Sequence, residues 1–310
     1  MYLVTGGAGF IGSNIVRKLV EQGERVRVLD DFSTGKRENL AGLEGKVEVL
    51  EGSFIDRGLV GRALKGVSYV LHQGAIPSVP RSVADPVSSN EANVTGTLNL
   101  LEGAREAGVE RFVYAASSSA YGDTEVLPKV EDMPSNPLSP YAVGKYTGEL
   151  YARVYADIYS LPTVSLRYFN IFGPYQDPAS EYAAVIPKFI LAMLKGKAPV
   201  IYGDGEQSRD FTYIDNAVAA NLLACKSEQV GRGEVINVAC GERFTLNQLV
   251  ELLSEIMGLE IEAEYAEARP GDVKHSLADI SRAEKLLGYR AEVDFIEGLR
   301  RTVEWFQKVK

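Results

Sequence analysis

The chain opens on a short apolar run, Tyr2–Val4, which leads directly into Thr5-Gly-Gly-Ala-Gly-Phe-Ile-Gly12 and an amphipathic helix pattern over Phe10–Glu21. Glycines at 6, 9 and 12 let a backbone turn tightly and approach a pyrophosphate closely, while the helix start, with Phe10 and Ile11, offers unpaired N–H groups and a positive dipole end. Gly7, Gly9 and Gly12 satisfy the same spacing, and a glycine triplet alone equally describes a plain strand-to-helix turn. The context points to a ligand. Asp30 closes the next strand pattern, where a carboxylate accepts from the adenosine ribose hydroxyls and repels a 2'-phosphate. A dinucleotide-binding fold that takes NAD is expected, with Asp31, Ser33, Thr34 and Gly35 beside the adenosine. Lys36 and Arg37 lie near enough in sequence to leave NADP open.

Further apolar runs at Arg25–Leu29, Val47–Leu50, Val67–Leu71, Arg111–Ala115 and Thr163–Phe169 alternate with helical stretches, two of them long, near Asp85–Ala107 and Pro140–Tyr159. Short β-rich runs separated by helices predict an α/β fold with a doubly wound parallel sheet. Beyond Asn170 the loop chemistry of residues 173–178 breaks the rhythm. Residues 1–170 are therefore expected as the nucleotide-binding domain and 171–310 as a smaller α/β substrate domain. The chain is expected to return to the first sheet near 212–240 through a buried strand at Glu234–Ala239. Thr245 with Gln248 predicts a capping box, and Asp279 and Asp294 each predict an N-cap.

With 33 Lys and Arg against 42 Asp and Glu, the net charge of -9 argues against polyanion binding, so no nucleic-acid partner is expected. No segment approaches the roughly 18 apolar residues of a membrane helix, and the first residues carry no secretory signature, so a cytoplasmic protein without a membrane partner is expected. Cys225 and Cys240 stand in no ligand spacing and predict no disulfide. His72 and His275 have no partner at metal spacing and read as structural, so no metal is expected.

Tyr141-Ala-Val-Gly-Lys145 places a phenol and an ammonium four residues apart on one helix face. A free tyrosine with a pKa near 10 is a poor base at neutral pH unless positive charge favours the phenolate. Lys145 is expected to lower it. Upstream, Ser117, Ser118 and Ser119 follow Ala115 at the C-terminal end of a predicted parallel strand, where ligands of doubly wound sheets bind.

With TGGAGFIG at 5–12, SSSAYGD at 117–123, YAVGK at 141–145, RYFNIFGP at 167–174, GDGEQSRDFTYIDN at 203–216 and RPGDVKHSLADISRAEKLLGY at 269–289, the chain resembles the extended short-chain dehydrogenase/reductase family. Within it the resemblance is to the UDP-sugar 4-epimerases, and most to those acting on UDP-N-acetylglucosamine. The resemblance implies transient oxidation at the sugar C4 by NAD. Tyr141 takes the hydroxyl proton, Ser117, with Ser118 next in line, relays it, and Lys145 holds the ribose. Dehydratase and decarboxylase relatives carry acids in the segment occupied here by Ser117–Ser119, and this chain has none there. The resemblance also places Ser53, Phe54, Gln73, Gly74, Ala75, Asn93, Ala115 and Phe169 around the cofactor. It departs at Ser53, where relatives have Asp, and at Gly74, where alanine is common.

For the substrate, the resemblance implies contacts from Ser78, Val79, Asn170, Val185 and Tyr202, a diphosphate clamp of Arg209 and Arg269, and Asp272 on the uridine ribose. Ser276 stands where a large Tyr confines relatives to UDP-glucose and UDP-galactose. The small side chain leaves room for a 2-N-acetyl group, so UDP-N-acetylglucosamine and UDP-N-acetylgalactosamine are preferred, with the unacetylated pair also open. A homodimer built on the two long helices is implied as well. The alternatives are a UDP-glucuronate epimerase, another nucleotide-sugar oxidoreductase, and a non-catalytic NAD or UDP-sugar sensor.

Overall fold

The computed structural model describes residues 1–178, 184–268 and 274–308. Seven strands form one parallel sheet: β1 (Tyr2–Thr5), β2 (Val26–Asp30), β3 (Val47–Glu51), β4 (Tyr69–His72), β5 (Arg111–Ser117), β6 (Thr163–Tyr168) and a seventh, Arg232–Val238. Their spatial order is seventh-β6-β5-β4-β1-β2-β3. Side chains alternate between two buried layers, as a pleat with a repeat of two residues requires. Leu3, Leu29, Val70 and Phe112 face the helices Arg57–Leu64, Thr97–Ala107 and Pro140–Tyr159. Val4, Val28, Leu71 and Val113 face α1 (Phe10–Glu21) and the helix Ile214–Lys226. The second layer continues without a break into the helices Val185–Leu194, Leu246–Met257 and Phe295–Lys308, which carry three two-stranded ribbons.

Strand order reverses between β1 and β4, so the loops that leave these strands diverge and open a crevice at the carboxyl edge of the sheet. The return of the chain to this sheet through Arg232–Val238 follows from Val235–Val238, which pair with Ser165–Tyr168 in parallel register. The long helix expected near Asp85–Ala107 is divided: Pro86–Asn90 is α-helical, Glu91–Gly96 winds as a wider π turn, and Thr97–Ala107 resumes the α form. Thr245 and Gln248 make both bonds of the capping box. Asp294 accepts the Glu297 N–H at 2.8 Å, as a cap does. Asp279 does not cap the helix Ser281–Leu287; Ile280 occupies that position, and Asp279 makes a local turn by accepting from the Ser281 backbone at 2.9 Å.

Candidate functional site

Gly6 takes a left-handed φ of 64°, and a Cβ there would come within 2.7 Å of the Gly74 Cα, so the loops leaving β1 and β4 touch backbone to backbone across the crevice. At Gly12 a Cβ would press into the Gly6 carbonyl. The helix α1 begins after Gly9 with no side-chain cap, which leaves the N–H groups of its first turn, at Phe10, Ile11 and Gly12, pointing into the crevice mouth. Asp30 is buried and accepts from Ala8 N–H and Phe32 N–H, both at 2.8 Å. Burial pushes its carboxyl upward, and the two backbone donors oppose that shift. Gly35 packs against Ala8 and the Asp30 carboxylate, where a Cβ would sit 2.9 Å and 3.0 Å from them. These residues suit a dinucleotide: a backbone cradle for a diphosphate and a fixed carboxylate for the ribose.

The cations that left NADP open are engaged elsewhere. Lys36 pairs with Asp177 at 2.8 Å, while Arg37 pairs with Glu51 at 2.6 Å and lies over the Phe32 ring. Asp31 and Ser33 are exposed and bond to each other in a local turn, and Thr34 is exposed beside them.

The departure at Gly74 from the family pattern has a packing cause. The Phe54 ring occupies a slot between Gly74 and Gly96, where an added Cβ on Gly74 would lie 2.5 Å from the ring. Ser53 accepts from Ile55 N–H at 3.3 Å. Gly74→Ala is therefore expected to cost about 1–3 kcal/mol in a denaturation experiment, with most of that cost absent in a Phe54→Ala background. Equal costs in both backgrounds would rule the packing account out.

Asn93 lies in the π turn and is buried, with its amide accepting from Ile76 N–H at 2.8 Å and donating to Ile76 O at 3.1 Å. Its side chain pins the loop that follows Ala75. The Gln73 amide bonds to Tyr168 Oη and Asn221 Oδ1, each at 3.0 Å. His72 is fully buried and shared between Thr5 and Thr97 at 2.7 Å and 3.0 Å. His275 bonds to Ser208 Oγ at 2.9 Å. Among the described residues there is no cluster of three or more His, Cys, Asp or Glu that could hold a metal ion, and no helix long and apolar enough to cross a membrane.

The helix Pro140–Tyr159 starts under the Ser139 cap, with Pro140 in its first turn, and the Tyr141 N–H donates to the buried Ser82 Oγ at 3.0 Å. Ser117, at the end of β5, accepts from Ser119 N–H at 3.2 Å and from Ser119 Oγ at 2.9 Å. With both bonds made as acceptor, its own O–H is left to donate, and here it meets the Tyr141 phenol. Ser118 follows in the 3-10 turn Ser118–Tyr121, partly exposed. Lys145 is buried and donates to the Ala115 carbonyl at 2.8 Å, leaving two further N–H donors; burial pulls its pKa down to about 8.

Burial raises the Tyr141 pKa and a hydrogen bond with Ser117 opposes that shift, while the Lys145 ammonium, one turn on, donates to Ala115 O. Phe169 has no exposed surface and packs with Tyr121, Ala239 and Ala278.

Asn170, Val185, Tyr202 and Arg209 line a single cavity of about 280 Å³. Sequence reasoning missed the aromatic walls of this cavity, Phe172, Phe189 and Phe211, which it could not tell from core residues. It also missed Asp210, whose buried carboxylate accepts from Cys240, Gly241 and Ala278 N–H and joins the end of the seventh strand to the segment carrying Ser276. Ser276 N–H donates to Ser208 O at 3.0 Å, beside Arg209. Ser78 has an unusual φ of 89° at the start of the helix Val79–Ala84. Arg269 and Asp272 lie outside the described residues.

Comparison with known proteins agrees with this geometry. Residues 2–239 match the NAD dependent epimerase/dehydratase family. A "Putative UDP-glucose 4-epimerase" of Methanocaldococcus jannaschii is 40% identical over 99% of this chain and 98% of its own. The solved UDP-N-acetylglucosamine 4-epimerase from Methanobrevibacter ruminantium superposes with a TM-score of 0.95 at 42% identity, covering 100% of this chain and 98% of that one. A UDP-glucose 4-epimerase from Thermotoga maritima, solved with UDP-glucose, gives 0.94 at 41% identity, covering 99% of each chain. The chain belongs to the NAD dependent epimerase/dehydratase family, as an enzyme of the epimerase kind whose cofactor is NAD.

Proposed function

We propose that this enzyme interconverts UDP-N-acetylglucosamine and UDP-N-acetylgalactosamine at C4 and also accepts the unacetylated pair. The observation that carries this reading is the small Ser276, held by Ser208 next to Arg209 of the ligand cavity, on the chain that also carries Ser117, Tyr141 and Lys145. Val185, Tyr202 and Asn170 line that cavity with aromatic walls suited to a flat base, and Arg209 supplies a planar fork of donors for a diphosphate, with Arg269 and Asp272 proposed to join it.

In this reading the glycine loop and Asp30 hold the two ends of the dinucleotide's adenosine diphosphate, and the remaining N–H groups of Lys145 serve its other ribose. NAD, when bound, supplies a hydride acceptor and donor at the sugar carbon. Tyr141 Oη removes the proton from the sugar 4-hydroxyl and later returns it. Ser117 donates to the same oxygen, because Ser119 has already satisfied it as an acceptor. Ser117–Ser119 hold no carboxylate to move a second proton, which favours epimerisation over elimination.

Ser276→Tyr tests the specificity. It is expected to lower turnover of the N-acetylated pair about tenfold or more while sparing UDP-galactose. Equal loss on both, or conversion of UDP-glucuronate alone by the unmodified enzyme, would contradict the assignment.

We further propose a homodimer. Val143, Leu150, Val154 and Ile158 form an exposed apolar stripe along the helix Pro140–Tyr159, flanked by exposed Val83 and Val87. Leu150→Glu with Ile158→Glu is expected to yield a monomer in sedimentation; a wild-type monomer at micromolar concentration would refute the dimer.

A further inference from the structure

Lys145, Glu149 and Arg167 are all buried, at 4%, 2% and 3% exposure. Glu149 lies one helical turn beyond Lys145, so the two share a face. Arg167 reaches Glu149 from β6 with two bonds, Nε to Oε1 at 2.9 Å and Nη2 to Oε2 at 2.7 Å, and its guanidinium stacks 4.5 Å from the centre of the Tyr121 ring. Three ionisable groups of alternating sign thus run from the base of the site into the core. The other groups facing Lys145 carry no compensating charge. From β4 comes His72, which burial holds neutral; from β5 comes Tyr114, whose ring centre is 5.0 Å from Lys145 Nζ and whose phenol burial raises; from its own helix comes Tyr141.

We propose that Glu149 is a positioning residue whose carboxylate, fixed by the fork of Arg167, keeps the Lys145 ammonium charged inside the cofactor crevice. An ammonium this deeply buried loses its proton unless an opposite charge stands near. Glu149 is that charge, and without Arg167 the carboxylate would itself be driven toward the neutral acid. The clamp therefore sets the pH up to which Lys145 can serve a ribose. In direction, the free Lys145 pKa of about 8 reflects burial pulling down and Glu149 pulling up.

The inference rests on the reading of Lys145 as the ribose-holding lysine, but its test does not require turnover. NAD binding to the cofactor-free protein is measured by calorimetry across pH, alongside thermal stability at each pH. In the unmodified protein affinity should fall as pH rises through about 8. In Glu149→Gln, where Arg167 now repels Lys145, that fall should begin about one pH unit lower, with about fivefold weaker binding at pH 8. Glu149→Asp should restore much of the profile. Glu149→Gln with Arg167→Met, which removes both charges, should shift it less than the single change.

A purely structural Glu149 would lower the melting temperature and leave the profile in place; that result, or equal shifts in the single and double variants, overturns the proposal. If Glu149→Gln does not fold, the Asp variant and the charge-free double variant still read it. Loss of the expected epimerisation with the binding profile intact would count against the proposed function alone.

Discussion

Tyr141→Phe is expected to lower epimerisation by about 10²–10⁴-fold, the usual worth of one positioned general base, with NAD and UDP-sugar binding largely kept. The substitution removes only the phenolic oxygen. The Tyr141 N–H to Ser82 bond and the Ser139 cap remain, so the helix start and the ring position are undisturbed. Burial raises the phenol in this structure, so positive charge near it is needed to favour the phenolate. Quenched-flow or end-point assays of the pure variant, with nucleotide binding measured in parallel, check the split. Loss of binding together with turnover would assign Tyr141 a structural role instead.

Arg167→Met is expected to destabilise the fold by about 3–5 kcal/mol, because it leaves Glu149 buried without its partner. Glu149→Gln with Arg167→Met should cost much less than Arg167→Met alone, since a neutral pair no longer strands a charge. Denaturant titrations of the two variants at neutral pH decide this. A double variant at least as unstable as the single one would show that the pair contributes by packing, chiefly the stacking of Arg167 on Tyr121.

The elements read most directly from sequence are those whose pattern is local. The glycine turn, the helix Pro140–Tyr159 and the Thr245–Gln248 box each depend on residues within one turn of each other, and each stands where expected. The parallel sheet was legible because its central strands are buried on both faces. What the sequence does not display are pairings with distant partners. The Asn93 amide is tied to Ile76, the Gln73 amide to Tyr168 and Asn221, and Lys145 to a carbonyl of β5. Phe169 turns into the core beside Asn170, which lines the cavity. The fit of Phe54 between Gly74 and Gly96 was visible in sequence only as a departure at Gly74.

The central claim is that hydride leaves and returns to the same sugar carbon with no net redox change. Incubating the enzyme with UDP-N-acetylglucosamine, with and without added NAD, and separating the products by chromatography while following NADH absorbance tests it most directly. The account predicts UDP-N-acetylgalactosamine rising to a constant ratio with no lasting NADH. Stoichiometric NADH with an oxidised sugar, or no conversion of either the acetylated or the unacetylated sugars, would contradict it.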